Sequence, residues 1–258
     1  MSASLNGRFA LPKASPFERR QDLPRKTSHR RDFIGQLAGG AAALAGLGLT
    51  PGFASAQQFA NQIRLSESDS KWDDSWTARL KGKLNTVFDS PQINDALALF
   101  QANAIIDNYR DVLGIGPEKL GLVVVLRHRA IPMAFNDVIW SKYEVGESLK
   151  LDDPTTGKRA RRNPFINVSK DDTHGLVGPE QSIDTLRDAG VIFLGCNRAA
   201  QAWASRLAKK AGTKGEDVHE ELKANLIPGV TLLPTGIFAV IRAQNVGCCY
   251  MPSWYSMD

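Results

Sequence analysis

From Lys83 onward the chain alternates short apolar runs with stretches whose apolar residues recur every three or four positions. The first pattern marks strands and the second marks helices. Leu84 to Phe88 reads as a short strand. Asp89-Ser90-Pro91 turns it into a helix from about Gln92 to Leu113, with Ala96, Leu99, Phe100, Asn103, Ile106 and Tyr109 at helical spacing, and Gly114 and Gly116-Pro117 end it. Leu120 to Leu126, rich in Val and Leu, suits a strand buried on both faces. Arg127-His128-Arg129 follows it, and Phe135 to Tyr143 reads as helix. Further on, Ser182 or Asp184 caps a short helix ending at Gly190, and Val191 to Cys196 forms the next strand. An amphipathic helix from Arg198 to Lys210 leaves that strand and stops at Gly212. Gly215 to Leu226 supplies another helix, Val230 to Leu233 a strand, Ile237 to Asn245 a helix, and Cys248 to Met251 a last short strand. Five strands alternating with helices predict an α/β fold, a three-layer sandwich around a mainly parallel five-stranded sheet.

Two regions fall outside this rhythm. The segment 57–82 has only scattered apolar residues, and its Trp72 and Trp76, four apart, would share one face of a short helix and clamp an N-terminal arm to the surface of a domain spanning 83–258. From Glu144 to Gln181 the pattern dissolves into Gly, Pro and charge, with a basic cluster at Lys158-Arg159-Ala160-Arg161-Arg162. A connection of that length serves as a lid or an oligomer contact, or else is a solvated charged face.

The front of the chain has its own grammar. Arg30 and Arg31 precede a weakly apolar run, Leu37 to Leu49, and Ala54-Ser55-Ala56 offers small residues for a signal peptidase. This order matches a twin-arginine export signal over 1–56, with a periplasmic or otherwise extracytoplasmic destination and the translocase as a transient partner. The apolar run is shorter than the roughly 20 residues a membrane span needs, so no stable span is expected after cleavage. Residues 1–56 hold eight Lys or Arg against three Asp or Glu and so carry the whole formal charge of +5. The remainder is balanced, and the basic composition implies no nucleic-acid partner.

Candidate chemistry centres on Cys196, which ends an apolar strand and opens a helix. Chemistry in open α/β sheets gathers at strand carboxyl ends, and a helix amino terminus favours thiolate over thiol. The alternative is a buried cysteine acting as a small apolar residue. His128 ends another strand and could act as a base or orient a substrate, or be merely structural. Cys248-Cys249 could form a vicinal disulfide, pair with Cys196 or bind metal. No Cys-x-x-Cys, zinc-like spacing or phosphate-binding Gly-rich loop is present. The cofactor, if any, is therefore unknown.

Over roughly Lys83 to Pro252 the chain resembles the DsrE/DsrF-like family, which includes sulfur-relay proteins carrying persulfide sulfur on a cysteine. The resemblance rests on Val191 to Asn197 with Cys196, on Pro228-Gly229-Val230, on Pro234-x-Gly236, and on Gln244, Gly247 and Tyr250. It implies that Cys196 is the sulfur-carrying position, that His128 falls near the ligand-facing end of the second strand, and that Asn197 and Gly236 border the substrate. It also implies a homo-oligomer, a trimer or a multiple of one. Export and the long 144–181 insertion depart from the family pattern. The expectation is an exported persulfide carrier or sulfurtransferase acting through Cys196. Its competitor is a non-catalytic module that binds a small ligand or metal in an oligomeric cleft.

Overall fold

The computed structural model of the chain describes residues 71–172 and 175–255. Arg30, Arg31 and the rest of the expected export signal lie outside the described residues. Five strands, β1 (Leu84–Ser90), β2 (Leu120–Leu126), β3 (Ile192–Cys196), β4 (Val230–Leu233) and β5 (Cys249–Pro252), form one sheet in the order β4-β3-β2-β1-β5. Every neighbouring pair is parallel, so the sheet is wholly rather than mainly parallel. β2, at the centre, is buried at every residue, which is why it reads as an uninterrupted apolar run.

Among the described residues seven α-helices surround the sheet: α1 (Leu97–Leu113), α2 (Asp137–Lys142), α3 (Val145–Leu149), α4 (Ile183–Asp188), α5 (Asn197–Ala211), α6 (Gly215–Ala224) and α7 (Gly236–Asn245). The chain steps from β1 to β4 in one direction and then returns past β1 to lay down β5. Right-handed crossovers place their helices on one face while stepping one way and on the other when stepping back. The helices divide accordingly. Leu99 and Ile106 of α1, Ile183 of α4, Trp203 and Leu207 of α5 and Leu222 of α6 pack into one apolar cluster with Phe88, Val124 and Phe193. Ala239, Val240 and Ala243 of α7 pack on the opposite face with Val87, Val123 and Leu194. The three-layer sandwich is therefore uneven, thick on one side and thin on the other.

Several boundaries move for local reasons. α1 starts at Leu97 instead of Gln92, because Asn94, Asp95 and Ala96 take left-handed backbone angles that an α-helix excludes. α2 starts at Asp137, where the Asn136 side chain accepts the Val138 N–H at 3.1 Å. Ser182, not Asp184, caps α4 by accepting the Thr185 N–H at 3.3 Å. The region before Lys83 is no surface arm at its inner end. A 3-10 helix, Ser75–Leu80, buries Trp76 and Leu80 among the residues beneath α7, so the packed body begins earlier in the chain than the periodicity shows. Trp72 lies before that helix and does not share its face.

The 144–181 insertion is more ordered than its composition suggests. Buried Asn163 donates through Nδ2 to the carbonyls of Met133 (3.0 Å) and Phe135 (2.8 Å) and accepts the Phe165 N–H at 2.9 Å. Phe165 meets Trp140 edge to face with ring centroids 6.4 Å apart. Nor are the arginines of the basic cluster simply solvated. Arg159 pairs with Asp152, Arg161 with Glu144, and Arg162 with both Asp153 and Asp172. Among the described residues no helix is long and apolar enough to cross a membrane.

Candidate functional site

The carboxyl ends of β3 and β4 part company. Cys196 pairs in register with Leu233, yet the chain leaving Cys196 enters α5 on the thick face, while the chain leaving Leu233 turns into α7 on the thin face. Neighbouring strands whose connections leave to opposite faces open a crevice at their carboxyl ends, where open α/β sheets bind ligands. The Arg198 N–H donates to the Pro234 carbonyl at 3.3 Å across this crevice. Cys196 therefore lies at the switch point of the sheet.

Cys196 is also the N-cap of α5. Its Sγ accepts the Ala199 N–H at 3.4 Å, so a group that is usually a weak acceptor occupies the position of a capping oxygen. The first-turn N–H groups favour negative charge there. Only 7 % of the residue is exposed.

Leu126 of β2 pairs with Gly195, so Arg127 and Cys196 leave adjacent strands side by side, about 4.8 Å from strand to strand. Arg127 donates through Nε to Asp89 Oδ1 (2.6 Å) and through Nη2 to Asp89 Oδ2 (2.9 Å). Tyr250, on β5, donates its hydroxyl to Asp89 Oδ2 at 3.1 Å. Asp89 is buried at the end of β1. The Asp89 hydrogen bond holds Arg127 above the usual arginine range. Burial opposes this, and the charges of Asp89, Tyr250 and Cys196 add to it. Burial pushes the Tyr250 phenol up, and Asp89 contributes in the same sense. A fixed positive charge thus stands within electrostatic range of the Cys196 sulfur.

Gly236 explains how α7 approaches so closely. A Cβ there would lie 2.5 Å from Arg127 Cβ and 2.8 Å from its Cδ. Only glycine lets the helix begin against the arginine stem. Thr235 caps the helix by accepting the Phe238 N–H at 3.0 Å. Asn197, on the other side of Cys196, places Oδ1 2.9 Å from Nε2 of His219 on α6. Burial holds His219 below the ordinary histidine value, with the Lys223 charge adding, so the neutral ring donates from Nε2. Asn197, Gln201, His219, Lys71, Trp72 and Lys223 face a cleft of about 480 Å³ beside the start of α5.

Of the residues expected from the sequence, Cys196, Asn197 and Gly236 gather at the switch point. His128 lies on the same rim, but it is exposed in a turn with a left-handed φ of 51°. Among the described residues its side chain makes no hydrogen bond or ion pair. The charged group beside the cysteine is its neighbour Arg127. Asp89, Arg127 and His219 were missed by the sequence reasoning. The signal for the first two is a carboxylate and a guanidinium at the ends of consecutive strands. The three cysteines are free. Cys248 packs on the thin-face cluster and Cys196 on the other, so these two do not converge, and Cys249 is exposed. Burial pushes the Cys248 thiol up to about 12, with the Cys249 charge adding. Among the described residues no three His, Cys, Asp or Glu side chains form a group able to hold a metal ion.

No family model and no curated protein matches the chain. Among solved structures it is similar to the protein of unknown function MTH1491 from Methanobacterium thermoautotrophicum. The identity is 15 % and the TM-score 0.32, over 65 % of this chain and 96 % of that one. A likeness that weak carries no functional argument.

Proposed function

We propose that the chain is an exported sulfur-handling protein, a persulfide carrier or sulfurtransferase of DsrE/DsrF-like type, with Cys196 as the sulfur-carrying residue. The observation that supports this is the placement of Cys196 at the switch point, with its sulfur accepting the Ala199 N–H of α5 and Arg127 leaving the next strand beside it. The step is a transfer between thiols. The Cys196 thiolate attacks the terminal sulfur of a donor R–S–SH, a new S–S bond forms, and the donor S–S bond breaks. R–S⁻ leaves, the proton stays on the transferred sulfur, and no outside oxidant is needed. Arg127 leaves the neighbouring strand beside Cys196 and contributes positive charge at the rim where the donor would approach.

The working form is proposed to be a homo-oligomer, a trimer or its multiple, in the periplasm. Ile237, Phe238 and Ile241 on the outer side of α7, with Tyr250 and Trp254 nearby in sequence on β5 and beyond it, are exposed apolar residues on the thin side. The competing reading, a non-catalytic ligand-binding module, is favoured by the Asn197–His219 cleft, whose volume suits a small molecule.

Intact-mass measurement after treatment with a low-molecular-weight persulfide tests the proposal. One added sulfur, lost in Cys196→Ala and kept in Cys249→Ser, is expected. Equal loading in Cys196→Ala overturns it. A small molecule retained through purification, with no sulfur loading, moves the reading to the binding module.

A further inference from the structure

A second cleft, lined by neither Arg127 nor Asp89, lies where the insertion closes over α5. Its volume is about 160 Å³, and its walls include Arg129 from the loop after β2, Ser148 from α3, and Trp203, Arg206 and Lys210 from α5. Trp203, Arg206 and Lys210 recur at three- and four-residue spacing, so they line one strip of the helix. Arg129 and Ser148 reach that strip from two other segments. The cleft thus exists because the insertion packs here, which gives the 144–181 segment a structural purpose.

Three cations meet at this small volume. Lys210 bonds Glu144 Oε2 at 2.8 Å, but Glu144 is already shared with Arg161 at 2.9 Å, so one carboxylate serves two bases. Among the described residues neither Arg129 nor Arg206 has a carboxylate partner. The Arg206 guanidinium is held over the Trp203 ring, 6.0 Å from its centroid, which restrains it at the cleft edge. Trp203 itself is 6 % exposed, and among the described residues its buried Nε1–H has no hydrogen-bond partner. Buried indole donors are ordinarily satisfied. Positive charge in excess, a restrained arginine fork, a hydroxyl and an unmatched donor all call for acceptor oxygens.

Size decides the class of acceptor. At about 160 Å³ the cleft is well below the roughly 300 Å³ where drug-sized ligand sites begin. We propose that this cleft binds a small tetrahedral oxyanion, of the sulfate, thiosulfate or phosphate kind, between Arg129, Arg206 and Lys210. The proposal goes beyond sulfur transfer at Cys196 and does not rest on it.

The test is titration of the full chain with sodium sulfate, thiosulfate and phosphate separately, against sodium chloride at matched ionic strength. Calorimetry reads affinity, and the Trp203 indole N–H resonance, assigned with Trp203→Phe, reads location. Saturable binding of at least one oxyanion with a shift of that resonance is expected, and the ranking of the three shows which source of the anion fits. Arg129→Gln or Arg206→Gln should weaken binding about tenfold, the order expected for losing a charge-assisted bond. Lys209→Gln, the same charge change outside the cleft, should leave it within about twofold. Cys196→Ala should not alter it, which separates this site from the cysteine. No saturable binding, or equal weakening by Lys209→Gln, overturns the proposal.

Discussion

Asp89 should be the most sensitive polar residue at the rim. Its buried carboxylate accepts two bonds from Arg127, at 2.6 and 2.9 Å, and one from Tyr250 at 3.1 Å. Asp89→Ala leaves a guanidinium whose side chain is only 27 % exposed facing the sheet end without its counter-charge. Removing one member of a fully buried pair costs about 3–5 kcal/mol, and the partial exposure of Arg127 argues for the lower end, about 3 kcal/mol. With a urea slope of about 2 kcal/mol/M, the unfolding midpoint should fall by about 1.5 M. Arg127→Met should cost a similar amount, since it strands the carboxylate. The double variant should cost much less than the sum, because both halves of the penalty disappear together. We expect a coupling of about 2 kcal/mol in the double-mutant cycle. Additive losses, or a single-variant loss below about 0.5 kcal/mol, would refute the reasoning. Loading of Cys196 with sulfur, measured on folded Arg127→Met, should slow as well, because the fixed charge beside the thiolate is gone.

Three further outcomes follow from the same geometry. Gly236→Ala should destabilise the fold by about 1–3 kcal/mol by thermal or urea unfolding, because the new Cβ would press on the Arg127 stem 2.5 Å away. At pH 8, iodoacetamide should modify exposed Cys249 first and leave Cys248 untouched until denaturant is added, since burial pushes that thiol up to about 12. Peptide mapping checks the order. His219 is held below its ordinary value by burial, so the unfolded chain takes up its proton first, and stability is full above about pH 6.5 and falls as the pH drops below that. His219→Gln should flatten that part of the stability profile, measured as unfolding midpoint from pH 7.5 to 5.

The strands were legible because burial on both faces leaves an unbroken apolar signature, as in Leu120–Leu126 and Ile192–Cys196. Helix starts were less legible. The left-handed Asn94–Ala96 turn delays α1, yet nothing in that stretch breaks the apolar spacing. Trp76 escaped assignment to the core because its neighbours are polar, and only the space beneath α7 makes it a core residue. At the site, Cys196 announced itself by ending an apolar run. His128 and Arg127 both follow the second strand, and the sequence alone does not distinguish them. Which residue leaves the neighbouring strand beside the cysteine is set instead by strand register, and Leu126 opposite Gly195 places Arg127 there. Asp89 needed the β1–β2 pairing to find its partner, since 38 positions separate the two residues.

The reversal of the chain after β4 links these features to one cause. Stepping back across the sheet sends α7 to the face opposite α5, and that divergence opens the crevice at Cys196. The same reversal brings β5 beside β1, which delivers Tyr250 to Asp89 and completes the anchor for Arg127. Among the described residues one helix and a 3-10 turn then cover the thin face, and α7 buries Ala239, Val240 and Ala243 inward while Ile237, Phe238 and Ile241 are exposed. Those outward residues begin next to Gly236, the position packed on Arg127. If copies of the chain meet through the outer side of α7, association and the cysteine site share a helix. A neighbouring copy would then press on the N-terminal turn of α7, against the arginine stem, and assembly would bear directly on the charge that stands beside Cys196.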